Sequence, residues 1–194
     1  MVLMHPAILM FDRVRRRAHD VVALAWLRIS LATVGLAPRV VHPERLLGMD
    51  TPVMYVTNHA SNLDVYAIAF LRRRFKYVSK AEIFRVPIIG WAMALTGNLS
   101  LKRSDRKSAM ATFRGMAARA AGVPVVPVTI QGTREVMPYD AIVPLRYPAQ
   151  QISLTVHPPI PSDGPEDDMQ VMQAAFESIN SALPDGERAV LRPT

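Results

Sequence analysis

Apolar residues in this chain come in short runs, and the spacing within them switches repeatedly between strand-like and helix-like. Val53 to Thr57 is short, β-branched and aromatic, the pattern of a buried strand. Ser61 or Asn62 then stands where a cap would begin a helix through Val65 to Phe70. Phe75 to Val78 reads as a second strand. The apolar stretch Ala81 to Leu95 is broken at Pro87 to Gly90, which predicts two short helices. Leu99 to Lys102 is a third strand, and Ser108 to Ala121 a helix with Gly115 inside it. Val123 to Ile130 carries the strongest strand signal, although Pro124 and Pro127 mark it as an edge or irregular strand. Ile152 to Val156 is the last strand. Met169 to Leu183 is an amphipathic helix, with Val171, Ala175, Ile179 and Ala182 roughly in line. Residues 158–165 form a loop, and the chain has no repeat or low-complexity tract. Strands alternating with helices point to an α/β fold.

The first forty residues differ from the rest. Arg13, Arg15, Arg16 and Arg17 form a basic cluster, followed by an apolar stretch from Val21 to Leu36 that Arg28 interrupts. A bilayer span needs about 20 apolar residues, and a mid-span arginine is costly in hydrocarbon. No Ala-x-Ala site closes the stretch as in a cleaved leader. The pattern fits a helix lying in a membrane interface, its arginines at headgroups and Leu24, Trp26, Leu27 and Leu31 toward acyl chains or the domain. The alternative is an ordinary amphipathic helix packed on the core with its arginines solvated. Residues 1–40 are accordingly read as an interfacial helical segment and 41–194 as the main domain.

Composition narrows the partners. The 194 residues suit one domain with a sizeable core. The formal charge is +7, half the residues are hydrophobic and mean hydropathy is positive. A basic, apolar chain suggests an anionic partner, nucleic acid or a membrane surface. Aromatics are 7%, little material for a base-stacking platform, so a membrane surface is expected and nucleic acid is not. The absence of cysteine excludes disulfides, thiolate metal sites and cysteine nucleophiles.

The candidate chemistry sits just after the first strand, in Asn58-His59-Ala60-Ser61-Asn62-Leu63-Asp64. Imidazole is the side chain best suited to proton transfer near neutral pH, and a nearby carboxylate fixes its tautomer and stabilises the imidazolium. On a straight helix, residues five apart do not share a face. With His59 in the turn before the cap, its ring can swing back over Asp64. The carboxyl end of a strand is also where open α/β sheets place their sites. The bland alternative is a helix-start histidine with a capping acid nearby. One histidine and one aspartate are too few for a zinc site, so no metal or cofactor is expected.

Further along stand Lys80-Ala81-Glu82-Ile83 with Pro87 and Gly90, then Gly97 to Arg103 bracketing a strand, then Val125-Val126-Pro127-Val128 with Gly132-Thr133-Arg134-Glu135. In this order the set resembles the glycerolipid acyltransferase family, over about residues 15 to 183. The family's Asn-His-x-x-x-x-Asp motif is matched by Asn58, His59 and Asp64. Its Gly-x-x-x-x-x-Arg motif is matched by Gly97 and Arg103, and its Val-Pro-Val strand by residues around Pro127. The N-terminal segment is similar to the family's membrane-docking helices. A third motif, Phe-Pro-Glu-Gly-Thr-Arg, is absent. Residues 107–111 look like the start of the helix before it and 113–117 like the helix after it. Gln131-Gly132-Thr133-Arg134 follows the Val-Pro-Val strand and does not replace it.

The resemblance implies an α/β fold with a central mixed sheet flanked by helices, and acyl transfer from acyl-CoA or acyl-carrier protein to the 2-hydroxyl of a lysophosphatidic acid, giving phosphatidic acid. His59 and Asp64 would be catalytic. Arg103, with Lys102, Arg106, Gly97 and Asn58, would serve the acceptor, and Asn58 would shape the turn. Backbone amides near Ser61 are oxyanion candidates. The enzyme would lie peripherally on the cytoplasmic face of a membrane. Rival readings are another lysolipid acceptor, a lipid-binding relic lacking the phosphate cradle, a serine hydrolase using Ser61 without a Gly-x-Ser-x-Gly elbow, and a nucleic-acid binder.

Overall fold

The computed structural model describes residues 16–101, 122–138, 141, 151–162 and 168–188. In chain order the elements are α1 (Arg17–Thr33), β1 (Arg39–Val41), β2 (Met54–Thr57) and α2 (Asp64–Ala67), which continues as a 3-10 turn through Leu71. After these come β3 (Val78–Lys80), a 3-10 turn (Ala81–Arg85), α3 (Ile89–Thr96) and β4 (Leu99–Leu101). The last are β5 (Val125–Gln131), α4 (Thr133–Val136), β6 (Ser153–Val156) and α5 (Asp168–Ala182). The helix expected over 108–121, and Arg13, Arg15, Lys102, Arg103 and Arg106, lie outside the described residues.

Four strands form the main sheet in the order β1-β6-β5-β2. β1 runs parallel to β6, β6 antiparallel to β5, and β5 parallel to β2, so the sheet is mixed as expected. β3 and β4 form a separate parallel pair. The side chains of Val126, Val128 and Ile130 alternate onto one face of β5, where they meet Leu31, Leu63, Ala67, Ile68 and Leu71 from α1 and the α2 region. α5 covers the other face with Ala175 and Ile179, and the buried Thr129 hydroxyl donates to the Ile179 carbonyl at 3.1 Å.

Two strand expectations need correction. β5 is no edge strand: it lies between β6 and β2. Its Pro127 is tolerated because of where its missing N–H points. The Pro127 carbonyl accepts from His157 N at 3.0 Å, so residue 127 faces the β6 side. The register of Val128 on Val156 places His157 opposite Pro127, one residue past the end of β6, so the missing N–H costs a bond beyond the regular ladder and not within it. The second strand begins at Val78 rather than Phe75. Tyr77 N donates to the Asn98 side chain at 2.7 Å, and Phe75 packs edge-on against Tyr55 and Tyr77 instead of pairing. The break at Pro87 falls where expected, and β4 and α5 match their predicted spans closely.

α1 is tied to the domain by its polar and apolar residues together. Leu27 and Leu31 are buried. Asp20, also buried, receives Lys76 Nζ at 2.5 and 2.7 Å, and Lys76 donates again to the Thr96 carbonyl. Arg16 caps the end of α3 through the Ala94 and Leu95 carbonyls. The opposite face of α1 leaves Val22 and Ile29 exposed with Val21 beside them, and Trp26, also exposed, packs its ring on Tyr66 with centroids 5.8 Å apart. Among the described residues no helix is long and apolar enough to cross a membrane.

α3 is held by a close backbone approach. A Cβ on Gly90 would overlap the Phe84 carbonyl group. Gly90→Ala is therefore expected to lower stability by about 3 kcal/mol, measured by urea or thermal unfolding.

Candidate active site

The parallel pairing of β2 and β5 places their carboxyl ends side by side, with Thr57 opposite Val128. Beyond Thr57 the main chain of β2 turns away, and the Asn58 side chain takes over its pairing. Asn58 Nδ2 donates to the Ile130 carbonyl and Asn58 Oδ1 accepts from Ile130 N, both at 2.8 Å. One amide side chain thus does the work of the next strand residue, and the turn that follows is anchored to the middle of the sheet.

His59 and Asp64 meet across that turn. His59 Nδ1 lies 2.8 Å from Asp64 Oδ2. The carboxylate only accepts, so Nδ1 carries the proton and the neutral ring holds its lone pair on Nε2, at the opposite edge. The His59 side chain is 52% exposed and that of Asp64 5%, so the acid is buried while the imidazole reaches the surface. Asp64 Oδ2 also accepts from Ala60 N at 2.8 Å and Ser61 N at 2.9 Å. The expected geometry, with His59 before the helix and Asp64 in its first turn, is the one observed.

Sequence reasoning missed Thr133. Its hydroxyl donates to Asp64 Oδ1 at 2.5 Å from a side chain that is almost wholly buried. Gly132 makes this possible. With φ +81 it turns the chain sharply off β5, and a Cβ added there would lie 3.3 Å from the Ile152 Cα. Thr133 therefore starts α4 directly over the β2 turn. Both oxygens of Asp64 are engaged, one by three donors and one by the hydroxyl.

The structure bears on two readings of the Ser61 region, the rival serine hydrolase and the oxyanion amides. Its side chain is fully buried, donates to the Met137 carbonyl at 2.6 Å and accepts from Leu63 N, which removes it as a surface nucleophile. Four of the nearby amides are already engaged. Those of Ala60 and Ser61 are spent on Asp64, that of Leu63 on the Ser61 hydroxyl and that of Asp64 on the Ser61 carbonyl. The helix start is built to hold the acid.

Gly97 takes φ +72 and ends α3, its N–H on the Ala94 carbonyl and that of Asn98 on the Met93 carbonyl. It sets the turn into β4, whose carboxyl end leads to Lys102 and Arg103, outside the described residues. No group of three metal-ligating side chains occurs among the described residues.

A family model described as Acyltransferase matches residues 38–117, which contain Asn58, His59, Asp64, Gly97 and Arg103. A 1-acyl-sn-glycerol-3-phosphate acyltransferase of Chlamydomonas reinhardtii is 35% identical over 95% of this chain and 64% of its own length. A chloroplastic 1-acyl-sn-glycerol-3-phosphate acyltransferase of Brassica napus is 36% identical over 71% of this chain and 49% of its own length. The chain thus spans between about half and two thirds of these curated relatives. The crystal structure of the 1-acyl-sn-glycerophosphate acyltransferase PlsC from Thermotoga maritima superimposes with a TM-score of 0.66, covering 97% of this chain and 89% of that one. At 19% identity that likeness establishes the shared fold.

Both alignments are longer than the stretch of this chain that they take in. The Brassica napus match runs over 171 positions yet takes in 71% of the 194 residues, about 138, which leaves about 33 positions opposite gaps in this chain. The Chlamydomonas reinhardtii match gives the same figure, 217 positions against 95%, about 184 residues, again about 33 short. With its His/Asp pair in place, its fold shared with PlsC and an acyltransferase family match over residues 38–117, the chain is similar over most of its length to the 1-acyl-sn-glycerol-3-phosphate acyltransferases.

Proposed function

We propose that this protein transfers an acyl chain from a thioester to the 2-hydroxyl of 1-acyl-glycerol-3-phosphate, giving phosphatidic acid. The observation that carries the reading is the His59–Asp64 pair, with the imidazole exposed and the acid buried behind it. His59 Nε2 takes the proton of the attacking hydroxyl as its oxygen bonds to the thioester carbonyl carbon. The tetrahedral intermediate then expels the thiolate, which receives that proton from the imidazolium. Asp64 fixes the ring and stabilises its charged form. The acceptor oxygen is itself the nucleophile, so no acyl-enzyme is required. Arg103 supplies paired, charge-assisted hydrogen bonds to the acceptor phosphate, with Lys102 and Arg106 adding positive potential. Asn58 and Gly97 act as shapers of the turns that present these groups. Either acyl-CoA or acyl-carrier protein serves as donor on these terms, both being anionic.

Lipid substrates come from a bilayer, and the outward face of α1, with Val21, Val22 and Ile29 and with Trp26 at its margin, is suited to lie on one. The surface charge expected of that bilayer is negative, to match a chain of +7.

Free-thiol release tests the proposal, with acyl-CoA or acyl-carrier protein and lysophosphatidic acid in mixed micelles. The chain has no cysteine to add background. Thiol release that requires both the thioester and the lysolipid is the expected result. A panel of acceptors with and without a phosphate monoester identifies the acceptor class. The absence of the Phe-Pro-Glu-Gly-Thr-Arg motif favours one second reading, a lipid-binding relative that no longer turns over. Tight lysophosphatidic acid binding by a folded protein that releases no thiol with either donor would establish that reading instead.

A further inference from the structure

The turn from Val86 to Trp91 does not use its apolar residues to build the core. Ile88 is 75% exposed and Trp91 66%, and Val86 and Ile89 are exposed beside them. Soluble surfaces carry single apolar residues freely, but this is a cluster within six consecutive residues.

The backbone makes the exposure costly as well as conspicuous. Ile88 has φ +67 and ψ −57, a region that a β-branched residue very rarely enters. The Ile89 N–H closes on the Pro87 carbonyl at 2.7 Å, the three-residue hydrogen bond of a strained γ-turn. The conformation is held on both sides. Gly90 N donates to the Val86 carbonyl at 2.8 Å and Ala92 N to the Ile88 carbonyl at 2.9 Å. Gly90 is packed so closely on Phe84 that no side chain fits there. The surrounding structure thus forces Ile88 outward at a tip, and glycine would meet the backbone demand with less strain. A contact outside the domain would account for an isoleucine at such a position.

The neighbouring charges say what kind. Lys80 and Arg85 are exposed at the base of the turn against one exposed acid, Glu82, and the whole chain carries +7. An apolar tip bearing a tryptophan, above basic residues, has the form of an element that enters the headgroup–acyl boundary of an anionic bilayer. We infer that the Val86–Trp91 turn is a lipid-inserting tip, separate from α1, that carries Ile88 and Trp91 into the acyl region. The choice of a bilayer as occupant rests on the lipid substrates proposed above.

The two tryptophans of the chain make the test direct, since one is on α1 and the other at this tip. In a Trp26→Phe variant, Trp91 is the sole indole. On adding vesicles of phosphatidylglycerol and phosphatidylcholine, its emission is expected to shift to the blue and to be quenched by brominated acyl chains. Trp91→Phe, which retains Trp26, reports α1 in the same assay. Ile88→Gly separates lipid contact from folding. It is expected to raise the melting temperature while weakening vesicle partitioning about tenfold, the loss of one buried aliphatic side chain. The inference is overturned if the Trp26→Phe variant sediments with vesicles but Trp91 stays unquenched, or if no vesicle binding occurs at all. It is equally overturned if Ile88→Gly lowers the melting temperature and leaves partitioning unchanged. A concentration-dependent blue shift without lipid, with a two-chain mass by light scattering, would assign the tip to a second copy instead. None of these readouts needs turnover. A quenched Trp91 in a protein that releases no thiol keeps this inference and removes the transferase reading, and the reverse pattern does the opposite.

Discussion

His59→Ala is expected to lower kcat for acyl transfer by about 10³-fold while leaving KM for both substrates nearly unchanged, the pattern of a lost proton-transfer group. The same substitution should barely disturb the fold. The His59 side chain is half exposed, and its removal leaves Asp64 with Ala60 N, Ser61 N and the Thr133 hydroxyl as donors. A change in stability of less than about 0.5 kcal/mol is expected, as for surface positions generally. Steady-state thiol release and a urea melt on the same preparations check both halves. Activity retained in a folded His59→Ala protein would remove His59 as the base. A large loss of stability would mean that the imidazole is part of the framework that holds the turn, the bland alternative for a helix-start histidine.

How much of this site was legible in the sequence depends on how far each contact reaches along the chain. Asn58, His59 and Asp64 lie within seven residues, and a strand followed by a capped helix is enough to place them. The α/β class, the break at Pro87 and the spans of β2, β4 and α5 likewise follow from local runs and their periods. Where the reading failed, a distant partner decided the outcome. Pro127 argues against an interior strand unless one knows that its missing N–H faces the end of β6. Phe75 and Tyr77 have strand-like side chains, but the aromatic cluster with Tyr55 and the Asn98 side chain claim them first. The amides near Ser61 look like free helix-start donors in sequence, and only the folded turn shows Asp64 collecting them. Gly132-Thr133 carries a turn signal in the sequence, but its target is 69 residues away and is fixed by the register of β2 against β5. The strain at Ile88 has no sequence signal, because isoleucine is the residue type least expected there.

Thr133→Val is expected to lower kcat by about 10- to 100-fold, with KM held, although Thr133 touches neither donor nor acceptor in the proposed mechanism. Its hydroxyl is the donor to Asp64 Oδ1, and the acid is buried. Valine keeps the shape and removes the donor. Oδ1 is then left without a partner in an apolar surrounding, at a cost of about 1.5–3 kcal/mol, the range for hydrogen bonds to charged groups. The carboxylate can recover a partner only by rotating, and rotation pulls Oδ2 away from the imidazole it orients. Thr133 thus acts as a positioning residue through Asp64, and two results would distinguish that from simple loss of packing. Thr133→Ser, which restores the hydroxyl but not the methyl, should return kcat to within a few-fold of the parent. Thr133→Val added to Asp64→Asn should cost little further activity, because the group it positions is already disabled. If the two effects multiply instead, or if serine fails to rescue, the hydroxyl is a structural group alone. Should thiol release prove undetectable in the parent protein, the imidazole can still be followed by nuclear magnetic resonance. A change in the His59 titration in Thr133→Val, reversed in Thr133→Ser, would place Thr133 in the same hydrogen-bonded unit as the pair. An unchanged titration in the folded valine variant would show that Asp64 holds His59 without it.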